Sequence, residues 1–267
     1  MIIRKAERAD YGINSPKLDY IFDFKANFAA FILYLFEEFP GCTEDALERI
    51  KRPDLRSKID KIKSKETLED DEEFVKRLQK SPSTLKSKIP VALFDQIYLE
   101  YKRYYNKNKI KFEDRTRAIK KNLNKKQINE ILIKIKEKTN ISFKIKNINI
   151  WLVDIYYIKS KREIEGTTTP RGIYIGLPER PLKIFYGILI HELVHYNLKG
   201  RYSEDIEEVI AQIAGLEISK EVLGKVPEQL WNTAKKRVPR LTKMKFEEVI
   251  DLWNRSKFIS SFVKSIR

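Results

Sequence analysis

The 267-residue sequence holds two histidines, and both fall in one five-residue segment, His191-Glu192-Leu193-Val194-His195. Side chains four apart lie on one face of a helix, so two imidazoles at this spacing can reach one divalent ion without backbone distortion. Glu192 stands one position on, about 100° around the helix. It is badly placed to join that ligand pair, but it can reach a water beside the ion and take its proton. The chemistry these residues permit is hydrolysis by metal-activated water, with Zn2+ as the ion. Two exposed helical histidines would be the bland reading. Against it, Ile184, Phe185, Ile188, Leu189 and Ile190 precede the segment, which puts the ring pair on a partly buried helix. Buried imidazoles without partners are costly, and a metal supplies the partner.

A catalytic zinc keeps three protein ligands and an open position. The third donor cannot be histidine, and the single cysteine, Cys42, excludes both a multi-thiolate site and an internal disulfide. Downstream, Ser203 is placed to cap a second helix in which Glu204, Asp205, Glu207 and Glu208 compete for the role. Glu204 and Asp205 stand in the first turn, where the helix dipole stabilises a carboxylate and end-capping is the simpler explanation. Glu208 differs because Ala211, Gln212 and Gly215 follow it at helical spacing as a narrow stripe of small residues and one amide. Such a stripe lets the second helix approach the first closely enough for a carboxylate to reach the ion. Ile206, Val209, Ile210 and Ile213 would then pack away from the ion. Glu207 lies nearer that apolar face and is the second choice.

The segment His191 to His195 followed by Glu208-Val209-Ile210-Ala211-Gln212-Ile213-Ala214-Gly215 resembles the gluzincins, zinc-dependent metallopeptidases whose glutamate helix carries Glu, a small residue three positions on and Asp or Asn at the fourth. Thermolysin, the small minigluzincins and the ImmA/IrrE-like peptidases share this scheme, and the short spacing here is similar to that of the compact members. The resemblance spans about residues 173–215, a sixth of the chain. It implies a zincin-like core, His191, His195 and Glu208 as ligands of Zn2+, Glu192 as general base, and a peptide or protein substrate. Gln212 departs from the family's usual acid, which puts in question the outer hydrogen bond that orients a ligand histidine. The metzincin arrangement, with a third histidine in the extended motif, is excluded. Tyr157, Tyr196, Arg201 and Tyr202 are the candidates near the motif for stabilising an oxyanion. By analogy, a strand at residues 172–177 is the expected edge on which an extended peptide pairs.

The elements that must position these groups read as α+β. Residues 20–123 have helical patterning, with Phe28, Phe31, Ile32, Leu35 and Phe36 on one face and a stop at Pro40-Gly41. Further helices are expected at 74–78 and 91–105, and a polar hinge at 121–126. Residues 127–138 predict a helix ended by Asn140, and residues 141–158 two strands with a turn near Lys146-Asn147. Residues 163–171 read as a polar loop, 172–177 as a third strand, and 181–199 as the histidine helix, closed by Gly200. The expected organisation is a helical N-terminal lobe at 1–124, a zincin-like catalytic domain at 125–224 and a helical C-terminal segment at 225–267. Cys42 is a candidate latent-state ligand, although a small buried residue is the simpler reading. Trp231 and Trp253 are candidate anchors for a C-terminal cover.

Composition bounds the partners. Net charge is +16, with eleven Lys/Arg against two acids in residues 101–126 and eleven against four in 225–267. Such tracts attract phosphate, so a nucleic-acid-associated module is one alternative function; solvated helix faces are the simpler explanation. A catalytically idle zincin, braced by its metal, is another. Abundant charge with scarce Gln, Met, Cys and His matches proteins of hot environments. The longest apolar stretch, residues 26–36, is too short to span a bilayer, and no secretory pattern opens the sequence, so no membrane partner and a cytoplasmic location are expected.

Overall fold

The computed structural model describes residues 16–36, 42–63, 90–122, 124–158, 163–179, 183–256 and 258–266. The chain is α+β. Strand β1 (Lys17–Ile21) precedes helices α1 (Phe24–Phe36), α2 (Cys42–Glu48), α3 (Pro53–Lys63), α4 (Val91–Asn122) and α5 (Lys125–Thr139). Strands β2 (Asn147–Val153), β3 (Tyr157–Ile158), β4 (Glu163–Ile164), β5 (Gly166–Thr169) and β6 (Gly172–Gly176) follow. Helices α6 (Lys183–Leu198), α7 (Glu204–Leu223), α8 (Glu228–Thr242), α9 (Phe246–Arg255) and α10 (Ile259–Ser265) complete the described chain. No helix among the described residues is long and apolar enough to cross a membrane.

A mixed sheet of order β1-β2-β6-β5 forms the centre, with β1, β2 and β6 parallel and β5 antiparallel to β6. Strand period places Tyr20, Ile150, Ile173 and Thr168 on one face, in register with one another. Helix α6 packs against β5 and β6, and α7 packs along α6. Strand β1 was not foreseen: its partner lies some 130 positions away, with Lys17 opposite Asn147, and a parallel pairing of that range leaves no local signature.

Helix α1 is apolar, with Phe28, Phe31, Ile32 and Leu35 fully buried. Its one polar interior residue, Asn27, has a specific task. Its Nδ2 donates to the Leu152 carbonyl (2.9 Å) and its Oδ1 accepts from the Asp154 amide (2.8 Å), closing the end of β2. The Asp154 carboxylate in turn accepts from Arg49 (Nε 3.1 Å, Nη2 2.9 Å) and from the Tyr104 hydroxyl (2.7 Å). This buried network joins α1, α2, α4 and the sheet.

Several expectations are met. Helix α5 starts at an Asn124–Gln127 capping box and ends on Asn140 in the left-handed region (φ 55°). Helix α4 ends at Asn122 and α5 begins at Lys125, and three helices lie among the described residues after 225. Other expectations are corrected. Only the second of the two strands read in 141–158 forms as a continuous element, β2; residues 140–146 are irregular, with Ile141 buried but unpaired to a strand. Helix α4 continues seventeen residues past the expected end at 105. The 163–171 region is not a loop: it supplies β4 and β5, and a Pro170-Arg171 turn leads into β6. Gly172 makes that turn possible, since its φ of 139° and the Asn149 carbonyl, 2.3 Å from where a Cβ would lie, exclude a side chain. The helix expected at 74–78 and the stop at Pro40-Gly41 lie outside the described residues.

Candidate metal centre

Helix α6 carries the two histidines on the turn that faces α7. The small stripe on α7 does what its spacing predicts. Ala211 is fully buried, and a Cβ on Gly215 would stand 3.5 Å from the His191 Cα, so the two backbones meet here at close range. Glu208, one turn before Ala211, therefore reaches the imidazoles. Its Oε2 is 3.0 Å from His195 Nε2 and 4.0 Å from His191 Nε2. One donor atom from each of His191, His195 and Glu208 lies within 4.8 Å of the others. The rings stand nearly perpendicular, 77° apart with centroids 4.7 Å apart. Two imidazole nitrogens and a carboxylate oxygen converging in this way could hold a metal ion.

The competing acids go elsewhere. Glu207 is buried, and its Oε1 accepts from the backbone amides of Arg201 (2.9 Å) and Tyr202 (3.2 Å), fixing the turn between α6 and α7. Glu204 and Asp205 stand exposed in the first turn of α7. Ser203 occupies the N-cap position without a side-chain cap bond.

Gln212 bonds to Glu208, not to a histidine: its Nε2 donates to Glu208 Oε1 at 2.8 Å. The Ala211 backbone faces His191, yet among the described residues Nδ1 of His191 makes no hydrogen bond of normal geometry. In place of the outer bond expected of an acid at position 212, Gln212 thus bonds the Glu208 carboxylate. A second donor, Arg237 of α8, reaches the same Oε1 at 2.8 Å. Nothing in the sequence around Arg237 marks it out, because its role depends on how α8 folds back on α6.

Glu192 is buried on the sheet side of α6. The Thr168 hydroxyl lies 2.8 Å from its Oε2 and 3.0 Å from its carbonyl oxygen. Gly166 allows β5 to come this close: a Cβ there would lie 2.9 Å from Glu192 Cγ, Glu192 Oε1 and Ile188 Cγ2. Both residues sit in the segment read as a loop, and its three consecutive β-branched threonines were the available signal.

Burial shapes the electrostatics. His191 is pushed down to about 4, first by burial and then by the neighbouring His195, against the pull of Glu208. The ring is therefore neutral, as a metal ligand must be. Burial also lowers His195, but the Glu208 hydrogen bond and the charge of Glu192 outweigh it and raise this ring above its ordinary value. Burial raises Glu208, yet the His195 bond, both imidazoles and Gln212 together hold it well below the carboxylate range. Glu192 is pushed up to about 7 by burial, opposed by His195 and Thr168.

These groups open on a cleft of about 340 Å³ bordered by Gly166, Thr168, Lys199, Glu204 and Arg237. Of the expected oxyanion candidates, Tyr157, Tyr196, Arg201 and Tyr202, none lines it, and neither do Trp231 and Trp253. Trp253 instead donates to Glu217 (2.8 Å) from the far side of α7, beside a separate cavity that holds no converging histidine. Strand β6, expected as the edge, is interior; β5 is the terminal strand of the described sheet. Cys42 begins α2, and its side chain lies outside the described residues. Comparison with protein-family models, with curated proteins and with solved structures found no match, so the arrangement of these residues is what carries a functional reading.

Proposed function

We propose that the chain is a zinc-dependent peptide hydrolase of the gluzincin kind, in which His191, His195 and Glu208 hold the ion and Glu192 is the general base. The observation that carries this reading is the convergence of the three donor atoms, from two adjacent helices, in a cleft that also holds a buried carboxylate one residue from the first histidine. When bound, zinc supplies a Lewis acid that acidifies a water and polarises a carbonyl oxygen. With the ion held by His191, His195 and Glu208, Glu192 would be placed to accept a proton from a water attacking the peptide carbonyl and to return it to the amine nitrogen as the C–N bond breaks. Thr168 fixes the carboxylate's direction through Oε2, and the missing Cβ at Gly166 leaves room for the other oxygen. β5, the terminal strand of the described sheet, lies directly beside Glu192, and pairing of an extended peptide along its outer edge would suit a peptide more than a compact small molecule. The zincin-like core is part of this proposal: a small mixed sheet, a histidine helix and a glutamate helix in chain order.

Digestion of a proteome-derived peptide library by zinc-loaded protein, with and without a chelator, tests the reading. Chelator-sensitive cleavage supports it; stoichiometric zinc without cleavage leaves an idle zincin.

One observation favours a second activity. The solvent face of α4 exposes Lys102, Lys107, Lys111, Lys120 and Lys121, while Arg115 turns inward to Asp154 and Glu179. Such a face attracts nucleic-acid phosphate, and retention on DNA that falls steeply with salt would support it. No retention at low salt removes it.

A further inference from the structure

We propose that Arg237 is a positioning residue of the metal centre, and that α8 is thereby part of the catalytic apparatus and not a peripheral addition. The inference rests on the metal-site reading above and concerns the oxygen of Glu208 that does not face the histidines. That oxygen, Oε1, accepts two hydrogen bonds, from Gln212 Nε2 and from Arg237 Nη1, each 2.8 Å long. Oε2 accepts neither and points at His195 and His191. A carboxylate whose two oxygens were equally free could turn about its terminal torsion and present either one, or both, to an ion. Here the two donors, one of them charged, make the oxygens unequal and leave Oε2 as the one offered.

Gln212 alone does not fix this. It sits on the same helix as Glu208, four residues on, so its bond travels with α7. Arg237 approaches from a different element, and that element is anchored to the rest of the fold. Gly187 of α6 forms a notch filled by α8 and the residue before it: a Cβ there would lie 2.4 Å from Leu230 Cδ1 and 2.8 Å from Pro227 Cγ. Gln229 exchanges hydrogen bonds with the backbone of Ile164, its Oε1 accepting at 3.2 Å and its Nε2 donating at 3.0 Å, which ties the start of α8 to β4. Leu230, Ala234 and Val238 are buried at helical spacing on the inner face. Arg237 is thus delivered to Glu208 by a helix referenced to both α6 and the separate antiparallel pair β3-β4.

The competing explanation is an ordinary surface ion pair. The Arg237 side chain is 51% exposed, and pairs of that kind contribute little to stability. The two explanations differ in what they move. A surface pair changes stability slightly and leaves the metal unaffected, whereas hydrogen bonds that orient a ligand typically change metal affinity about 10- to 100-fold.

The test compares wild type with Arg237→Met and Arg237→Lys in the full chain. Zinc affinity is measured by chelator competition, the visible spectrum is recorded after loading with Co2+, and the melting temperature is taken without metal. Arg237→Met should weaken zinc about 10- to 100-fold and alter the Co2+ spectrum while leaving metal-free melting near wild type. Arg237→Lys should recover part of the affinity. Unchanged zinc affinity and Co2+ spectrum in Arg237→Met would overturn the inference while leaving the hydrolase reading intact. A loss of melting temperature that accounts for the whole change would reduce Arg237 to a structural residue. Wild-type protein that binds neither metal overturns the metal-centre reading itself, and this inference with it.

Discussion

Replacing Gly166 by alanine tests the cleft where strand and helix meet. The added methyl would lie 2.9 Å from Glu192 Cγ, Glu192 Oε1 and Ile188 Cγ2, at least half an ångström inside ordinary van der Waals contact with each. Backbone conformation is no obstacle, since Gly166 is not among the positive-φ residues. Of the two side chains, Glu192 is the softer, but its Oε2 is held by Thr168 at 2.8 Å, so yielding means bending or breaking that bond. A displacement of half to one ångström in a reacting group lowers turnover about 10- to 100-fold. Overpacking costs about 1–3 kcal/mol in stability, toward the lower end here because a flexible side chain gives way. The ligands are untouched, so zinc content should equal that of wild type. Turnover of a cleaved library peptide, zinc content and melting temperature are measured together. Wild-type turnover in a folded, zinc-loaded Gly166→Ala protein would show that the approach of β5 to Glu192 is not needed, and the account of how the base is aimed would be wrong.

Other outcomes follow from the same geometry. His191→Ala or His195→Ala should lose zinc and melt lower than zinc-loaded wild type, while Glu192→Gln should keep both metal and fold; metal analysis with calorimetry separates the two behaviours. Glu208→Ala should weaken zinc far more than Glu204→Ala, Asp205→Ala or Glu207→Ala, and equal retention across the four would move the third ligand elsewhere. Glu207→Ala should instead cost about 1 kcal/mol of stability, because the Arg201 and Tyr202 amides lose their acceptor, a loss that denaturant titration reads directly. Asp154→Ala should be the most damaging of these changes, at about 3–5 kcal/mol, since it strands the buried Arg49 guanidinium. A midpoint near wild type would mean that water or another acid takes over.

The candidate site was legible in proportion to how local its geometry is. His191, His195 and Glu192 are related by one turn of a helix, and spacing alone brings them together. Glu208 required one further step, the small stripe at Ala211 and Gly215, and this too is a periodicity within one helix. The partners that lie across the sheet or beyond the next turn were not legible. Thr168 contacts Glu192 only because β5 pairs with β6, and polar threonines beside Glu165 and Pro170 look like a loop until that pairing exists. Arg237 reaches Glu208 only after α8 folds back over Gly187. The fold shows the same division. Helices were foreseen from apolar spacing, whereas β1 depends on a partner far along the chain. The alternation of Ile141, Phe143 and Ile145 had the strand pattern but no neighbouring strand to complete it, and strand propensity without a partner does not make a strand.

Whether Glu192 acts on a substrate beside a metal held by its neighbours is tested by a single comparison. Wild type and Glu192→Gln are brought to equal zinc content and incubated with the same peptide library, and new peptide termini are counted. Cleavage by wild type and none above background by Glu192→Gln is expected, with the two proteins equal in metal content and melting temperature. Equal cleavage by both proteins, or none by zinc-loaded wild type, would contradict it.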